Sequence, residues 1–195
     1  MRRQLVPALI SMVVFTVVLG IAFPLVITGI AQVAFSDKAN GSLIREHGKV
    51  IGSSMLAQSF TTKNGTPIRK YFQSRPSAAK YDPTSSTGSN LGPTNPTLLA
   101  MVAKRAKAYR ELNGLSSSVK VPVDAVTASA SGLDPDISIA NARLQADRVA
   151  DARGLDTATV MRLIDDHTDP RPLGIIGEKT VNVLDLNLAL DRLGS

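Results

Sequence analysis

Apolar positions follow two different regimes along this chain. Between Arg3 and Asp37 lie 33 residues with no Asp, Glu, Lys, Arg or His, and only Gln4, Ser11, Thr16, Thr28, Gln32 and Ser36 are polar. A bilayer core about 30 Å thick is crossed by about 20 helical residues. The pattern therefore predicts one transmembrane helix over 10–34 behind a short N-terminal segment, 1–9. A secretory signal also pairs basic residues with an apolar core, but that core is only roughly 7 to 15 residues long. A retained anchor is expected, rather than cleavage at Gly29-Ile30-Ala31 or Ala34-Phe35-Ser36. One helix cannot line a conduction path by itself, so the chain is expected to be one part of a larger membrane assembly.

Inside the span, Thr16, Gly20, Pro24, Thr28 and Gln32 recur at every fourth position. On a straight helix such a stripe drifts by about 40° per step, and its small side chains allow a second helix to approach. Thr16, Gly20, Pro24 and Thr28 are the candidate partner-facing residues. Chance spacing is the competing reading, because Gly, Pro and Thr are common in membrane helices. Pro24 has no amide proton and is expected to disturb the helix near Gly20.

After residue 34 the apolar positions come in short bursts, and 35–195 reads as a single soluble domain of mixed α+β class. Leu43 to Phe60 fits a hairpin around Gly48 and Gly52, and Tyr71-Phe72 should begin or end a strand. From Arg75 to Asn95 the chain is a long Ser/Thr/Gly/Pro loop. It is expected to be ordered, with Asn90 and Asn95 bonding backbone and Gly88 or Gly92 at positive φ. Asn95-Pro96 opens a helix that stops at Asn113-Gly114. Ser138 caps a helix whose inner face is Ile139, Ala142, Ala146, Val149 and Ala150. Asp156 caps a shorter helix carrying Val160, Leu163 and Ile164. A strand over 180–183 and an amphipathic helix over 184–193 complete the pattern.

Charge adds little to this picture. All 16 acidic residues and 20 of the 22 basic ones follow the span, leaving that part at +4. Arg2, Arg3 and the terminal amine favour an N-terminus inside, with Lys38, Arg45 and Lys49 opposing from the other flank. The soluble domain is then extracytoplasmic. With no Trp and three Tyr there are few platforms for stacking bases, and nucleic acid is set aside. There is no cysteine, which excludes disulfides and thiolate metal sites. His47 and His167 stand far apart and suggest no zinc site.

Three stretches invite chemistry. Gly174 to Thr180 approaches a phosphate loop, but Glu178 separates glycine from lysine, and a turn before a strand is expected. Ser129-Ala130-Ser131-Gly132 could present a nucleophile, yet no G-x-S-x-G elbow accompanies it. Asp134-Pro135-Asp136 with Asp165, Asp166 and Asp169 could draw a cation, although helix caps account for most of them and calcium-loop spacing is absent. A membrane-anchored extracytoplasmic hydrolase is thus the alternative from another class.

The run of motifs carries a resemblance. Gly52-Ser53 through Gln58-Ser59-Phe60 is followed by Tyr71-Phe72 with Arg75-Pro76-Ser77, and by Gly88-Ser89-Asn90-Leu91-Gly92-Pro93 with Asn95-Pro96. Val126 to Pro135, Arg148-Val149-Ala150 with Ala152-Arg153, and Val181 to Asp191 complete it. In order and behind one span, these segments resemble the C-subunit family of the bacterial Kdp complex, an ATP-driven potassium importer built around a P-type ATPase subunit. Asp82, Thr87 and Asp136 depart from the family pattern, where Asn, Gly and His are expected.

The resemblance implies a non-catalytic accessory subunit in the bacterial inner membrane, beside an ATP-hydrolysing pump subunit and a potassium-selective channel-like subunit. The family is described as a catalytic chaperone that raises the ATP affinity of the pump subunit. No cofactor is expected on this chain, since the partner uses the ATP. Were the domain to meet nucleotide directly, Ser129, Ser131, Gly132 and Gln145 would be the contacts. Arg75, Ser89, Asn90 and Asn95 are the candidate docking residues of the soluble part, and an internal salt bridge is the equal alternative for Arg75.

Overall fold

The computed structural model describes residues 2–193. Met1 with its amine lies outside them, as do Gly194 and Ser195 at the end of the expected soluble segment. The chain divides into two compact units, one ending at Ser53 and the other beginning at Ser54. The expected soluble segment 35–195 is therefore shared between them.

The first unit is mostly one helical run: α1 (Arg2–Val17), a π-helical turn (Val18–Ala22) and α2 (Phe23–Ala34). Its apolar stretch Arg3–Ala34 is 32 residues long and none of it is buried by the rest of the chain. At 1.5 Å per residue this is about 48 Å of helix, longer than a bilayer core. The disturbance expected from Pro24 takes the form of the π turn, in which the Phe23 N–H donates to Val18 O. The proline ring crowds the carbonyl four residues back, at Gly20, and widening that turn relieves the clash. A π turn uses about one extra residue, so it rotates the stripe back against its drift. Thr16 and Gly20 do share a face, since a Cβ on Gly20 would stand 3.9 Å from Thr16 Cγ2.

After α3 (Ser36–Ala39), the expected hairpin appears as β1 (Leu43–Glu46) and β2 (Lys49–Ser53), paired antiparallel with an irregularity between Ile44 and Arg45. His47 and Gly48, both at positive φ, make the two-residue turn whose twist suits a hairpin. The Ser53 hydroxyl closes the unit by donating to Gly41 O at 2.7 Å.

The second unit holds α4 (Pro96–Asn113), α5 (Val123–Val126), β3 (Asp136–Ser138), α6 (Ile139–Arg153), α7 (Thr157–Asp166), β4 (Thr168–Asp169), β5 (Thr180–Asn182) and α8 (Val183–Leu193). The strands form an antiparallel sheet in the order β3-β5-β4. Ala142, Ala146, Val149 and Ala150 of α6 are fully buried against Val160, Ile164, Val181, Val183, Leu186 and Leu190. Small side chains let these elements approach closely, as the alanine spacing predicted. Local caps fix the helix ends. Asn95 Oδ1 accepts from the Thr97 and Leu98 amides, Ser138 Oγ from Asn141 and Asp156 Oδ1 from Ala158, while Gly114 and Gly154 close α4 and α6 in the left-handed conformation.

The strand expected at Tyr71-Phe72 does not form. Side-chain amides take the place of a neighbouring strand there. Phe72 N–H donates to Asn187 Oδ1 at 2.8 Å and Phe72 O accepts from Asn187 Nδ2 at 3.0 Å. Gln145 does the same for the next residue, accepting from Gln73 N–H at 2.8 Å and donating to Gln73 O at 3.2 Å. Backbone groups satisfied in this way need no ladder, and Phe72 can sit wholly in the core.

Candidate functional site

The two loops that hold most of the sequence candidates meet face to face. Thr87 N–H and Ser86 Oγ both donate to Ser131 O, at 2.9 and 3.2 Å, and Ser129 N–H donates to Pro76 O at 3.3 Å. Ser77 Oγ donates to Gly132 O at 2.6 Å and accepts from the Tyr81 amide at 3.0 Å. Tyr81 returns its phenol to Arg75 O at 2.7 Å, and burial pushes that phenol pKa up. Lys80, Tyr81 and Asn90 hold positive φ, which costs Lys80 and Tyr81 about 1–2 kcal/mol each. Hydroxyls and amides of the long loop thus tie it to itself and to the 129–132 loop.

Its glycines behave differently from expectation. Gly88 and Gly92 are outside the left-handed region, and Asn90 occupies it instead. Asn tolerates that region better than most residues. Gly88 serves close approach, since a Cβ there would stand 2.9 Å from Ala130 O. Ser89 and Asn90 are exposed beyond this contact, whereas Asn95 is committed to capping α4.

Arg75 shows the internal use of its guanidinium. Its Nη1 meets Asp134 Oδ2 at 2.7 Å, with both side chains about three-quarters buried. Asp134 also accepts from the Asp136 amide at 3.1 Å. Among the described buried side-chain polar atoms, Arg75 Nε is without a partner.

The residues named for direct nucleotide contact are not brought into a common cradle. Ser131 Oγ accepts from Leu133 N–H at 3.1 Å. Gly132 has Thr87 O and Ala79 crowded over its α-carbon. Gln145 sits elsewhere, buried on α6 with both amide atoms engaged by Gln73. It lines a cavity of about 410 Å³ with Ser74, Arg105, Tyr109 and Asn141, and none of Ser129, Ser131 or Gly132 reaches that wall.

The polar groups of this cavity wall are tied into a network the sequence did not reveal. Asp124 accepts from the Ser138 amide, the Ser138 hydroxyl and Asn141 Nδ2, at 2.8, 3.0 and 3.0 Å. Asn141 Oδ1 accepts from Tyr109 Oη at 2.8 Å and from Gln145 Nε2 at 2.9 Å. Burial, then the nearby Asp124 carboxylate, raises the Tyr109 pKa well beyond the ordinary phenol range. A proton held that firmly is of no use to acid–base chemistry near neutrality.

Below the network lies Arg148, the largest fully buried side chain. Its guanidinium donates to four oxygens: the Arg69 and Tyr71 carbonyls, Asn113 Oδ1 and Gln145 Oε1. Burial, then repulsion from Arg69, brings its pKa down to about 10. It remains charged at neutral pH, with no carboxylate paired to it among the described residues.

The acidic residues weighed for a cation are split up. Asp165 pairs with Arg143 at 2.9 Å and Asp134 with Arg75, while Asp136 and Asp169 meet Asp185 in a cleft of about 370 Å³ that includes Ser54, Met55, Pro135 and Asn182. Among the described residues no three His, Cys, Asp or Glu side chains, these aspartates included, are placed so that they could hold a metal ion. Burial chiefly, with repulsion from neighbouring aspartates, raises the pKa of both Asp136 and Asp185. A carboxyl raised on folding adds stability below its unfolded pKa and loses that contribution as pH rises through the folded value. Asp136→Asn should therefore raise Tm at pH 7, and the gain should shrink as the pH is lowered toward 4. Thermal melts of the full-length chain across that range check the sign.

Comparison with known proteins agrees with the motif series. The family model described as "K+-transporting ATPase, c chain" matches residues 5–192. A Mycobacterium tuberculosis protein named potassium-transporting ATPase KdpC subunit is 57% identical over 195 residues, covering 99% of this chain and all of its own length. Proteins of the same name from Caulobacter vibrioides and Cereibacter sphaeroides are 53% and 48% identical. They cover 98% and 100% of this chain, and 94% and 100% of their own length. Matched in this way from one end to the other, the chain belongs to the KdpC family, the c chain of the K+-transporting ATPase.

Proposed function

We propose that this chain is a non-catalytic accessory subunit of an ATP-driven potassium importer, holding an ATP-hydrolysing pump subunit and a channel-like subunit together in the inner membrane. The observation that carries the reading is the 32-residue apolar helix Arg3–Ala34, whose described side chains are unburied. Lipid and neighbouring helices are its natural surroundings, and the Thr16–Gly20 face is where a second helix can come closest. With the N-terminus inside, the second unit lies on the extracytoplasmic side, across the membrane from ATP. Any rise in the ATP affinity of the pump, the chaperone role ascribed to the family, then passes through the assembled subunits as a coupling free energy.

Co-expression with the other subunits tests this. Gly20→Leu should force the helices apart and reduce co-purification, while Val17→Leu should leave it unchanged. Potassium-stimulated ATP hydrolysis should fall with the amount of chain retained. Equal assembly of both variants would remove the stripe, and micromolar ATP binding by the isolated chain would overturn the extracytoplasmic reading.

A further inference from the structure

Strands β4 and β5 pair through Asp169 and Thr180, and the ten residues between them form a connection far longer than a usual hairpin loop of about 2–5 residues. Its tip is aliphatic and open to solvent: Leu173 is 87% exposed, Ile175 81% and Ile176 55%. Exposed aliphatic residues clustered at the end of a projecting loop mark an interaction site more often than scattered ones do.

The tip is also folded back on itself: Arg171 and Glu178 pair across its base at 2.7 Å, and Gly174 N–H donates to Arg171 O at 2.8 Å. Gly174 and Gly177, at φ +77° and +74°, bracket the two isoleucines. Leu173 itself holds φ +55°, a conformation that costs a side chain with a Cβ about 1–2 kcal/mol. Strain kept at an exposed apolar residue points to a use for that residue outside its own fold.

Charge distinguishes between two kinds of surface. The base of the loop continues into the cleft of Asp136, Asp169 and Asp185, and the Arg171–Glu178 pair is neutral, leaving Lys179 as the other cation of the loop. With three carboxylates beside one unpaired lysine, such a base offers an anionic lipid surface no net attraction. Between Thr168 and Asn182 there is also no Trp, Tyr or Phe, the residues that favour the headgroup region. A protein socket with an apolar floor and a basic rim complements both the tip and its base.

We infer that the loop from Pro170 to Lys179 is a preformed docking finger, with Leu173, Ile175 and Ile176 seated in an apolar, basic-rimmed socket on another subunit of the same transporter. The inference rests on the accessory-subunit reading. The chain has no cysteine, so Ile175→Cys provides a single attachment point for an environment-sensitive fluorophore, and Lys63→Cys on an exposed turn provides the control.

The labelled full-length chain is placed in lipid nanodiscs of neutral or anionic composition, alone and as the purified complex, and quenched with iodide. In the complex, quenching at residue 175 should fall about tenfold, because docked side chains exclude water. In discs holding the chain alone it should match residue 63. Shielding in anionic discs without the other subunits would mean lipid insertion and would overturn the proposal, as would full quenching in the complex.

Hydrogen exchange of the unlabelled proteins repeats the comparison without the substitution. The amides of 173–177 should be protected in the complex alone, and equal exchange in both states would again overturn it. Failure of the unmodified chain to co-purify at all would instead count against the accessory-subunit reading.

Discussion

Arg148→Met should destabilise the second unit by about 3–5 kcal/mol, a large share of the 5–15 kcal/mol that holds a typical domain together. Methionine fills much of the volume but donates nothing. Arg69 O and Asn113 Oδ1 would lose the donor they have, while Tyr71 O and Gln145 Oε1 would keep only Gln73 Nε2 and the Gln73 amide. Each unsatisfied buried group costs about 1–3 kcal/mol, and removing the expense of burying a cation offsets only part of this. Arg148→Lys should remain severely damaging, because an ammonium on a flexible stem cannot address four acceptors arranged around a planar fork. Arg143→Met, which breaks only the exposed pair with Asp165, should cost less than about 1 kcal/mol. Urea unfolding of the full-length chain in detergent, followed by circular dichroism, measures the series. Near-equal midpoints for the Arg148 and Arg143 variants would refute the structural role assigned to the buried guanidinium.

Gly132→Ala should separate the two loops. The new methyl carbon would stand 2.7 Å from Thr87 O, 2.8 Å from Ala79 Cβ and 3.0 Å from Ala79 N, at a φ of +71°. Two of those neighbours are backbone and cannot swing aside, so strain and clash add to a loss of about 3 kcal/mol or more. Gly92→Ala, with open space around it and no left-handed backbone, should be neutral or slightly stabilising. Hydrogen exchange at Thr87, whose amide bonds Ser131 O, reads the separation directly. Unchanged protection there in Gly132→Ala would contradict the packing described.

Features governed by neighbours along the chain were legible before any coordinates. Asn95, Ser138 and Asp156 cap the helices assigned to them, Gly114 ends α4, and the alanine face of α6 is buried as its spacing predicted. The single span and the motif series were equally plain. What escaped notice depends on partners far away in sequence. Asn187 satisfies Phe72 over 115 residues and Arg148 reaches Arg69 over 79, and no local pattern distinguishes a polar residue in such a role from one in water. The same blindness turned Tyr71-Phe72 into an expected strand. Asn90 holds the left-handed position expected of Gly88 or Gly92, while Gly88 lies against Ala130 in an inter-loop contact that no local pattern reveals. Ser129, Ser131 and Gly132 looked available in the sequence because the loop that engages them lies 40 or more residues earlier.

The bond between Phe72 and Asn187 also sets an order of events during synthesis. Phe72 cannot be bonded by Asn187 until α8 has been made. The apolar helix ends at Ala34, about 150 residues earlier, and at about 5–20 residues per second the ribosome needs roughly 8–30 s to cover that distance. The apolar helix is therefore complete, and free to meet neighbouring helices, well before the contact between Phe72 and Asn187 can close.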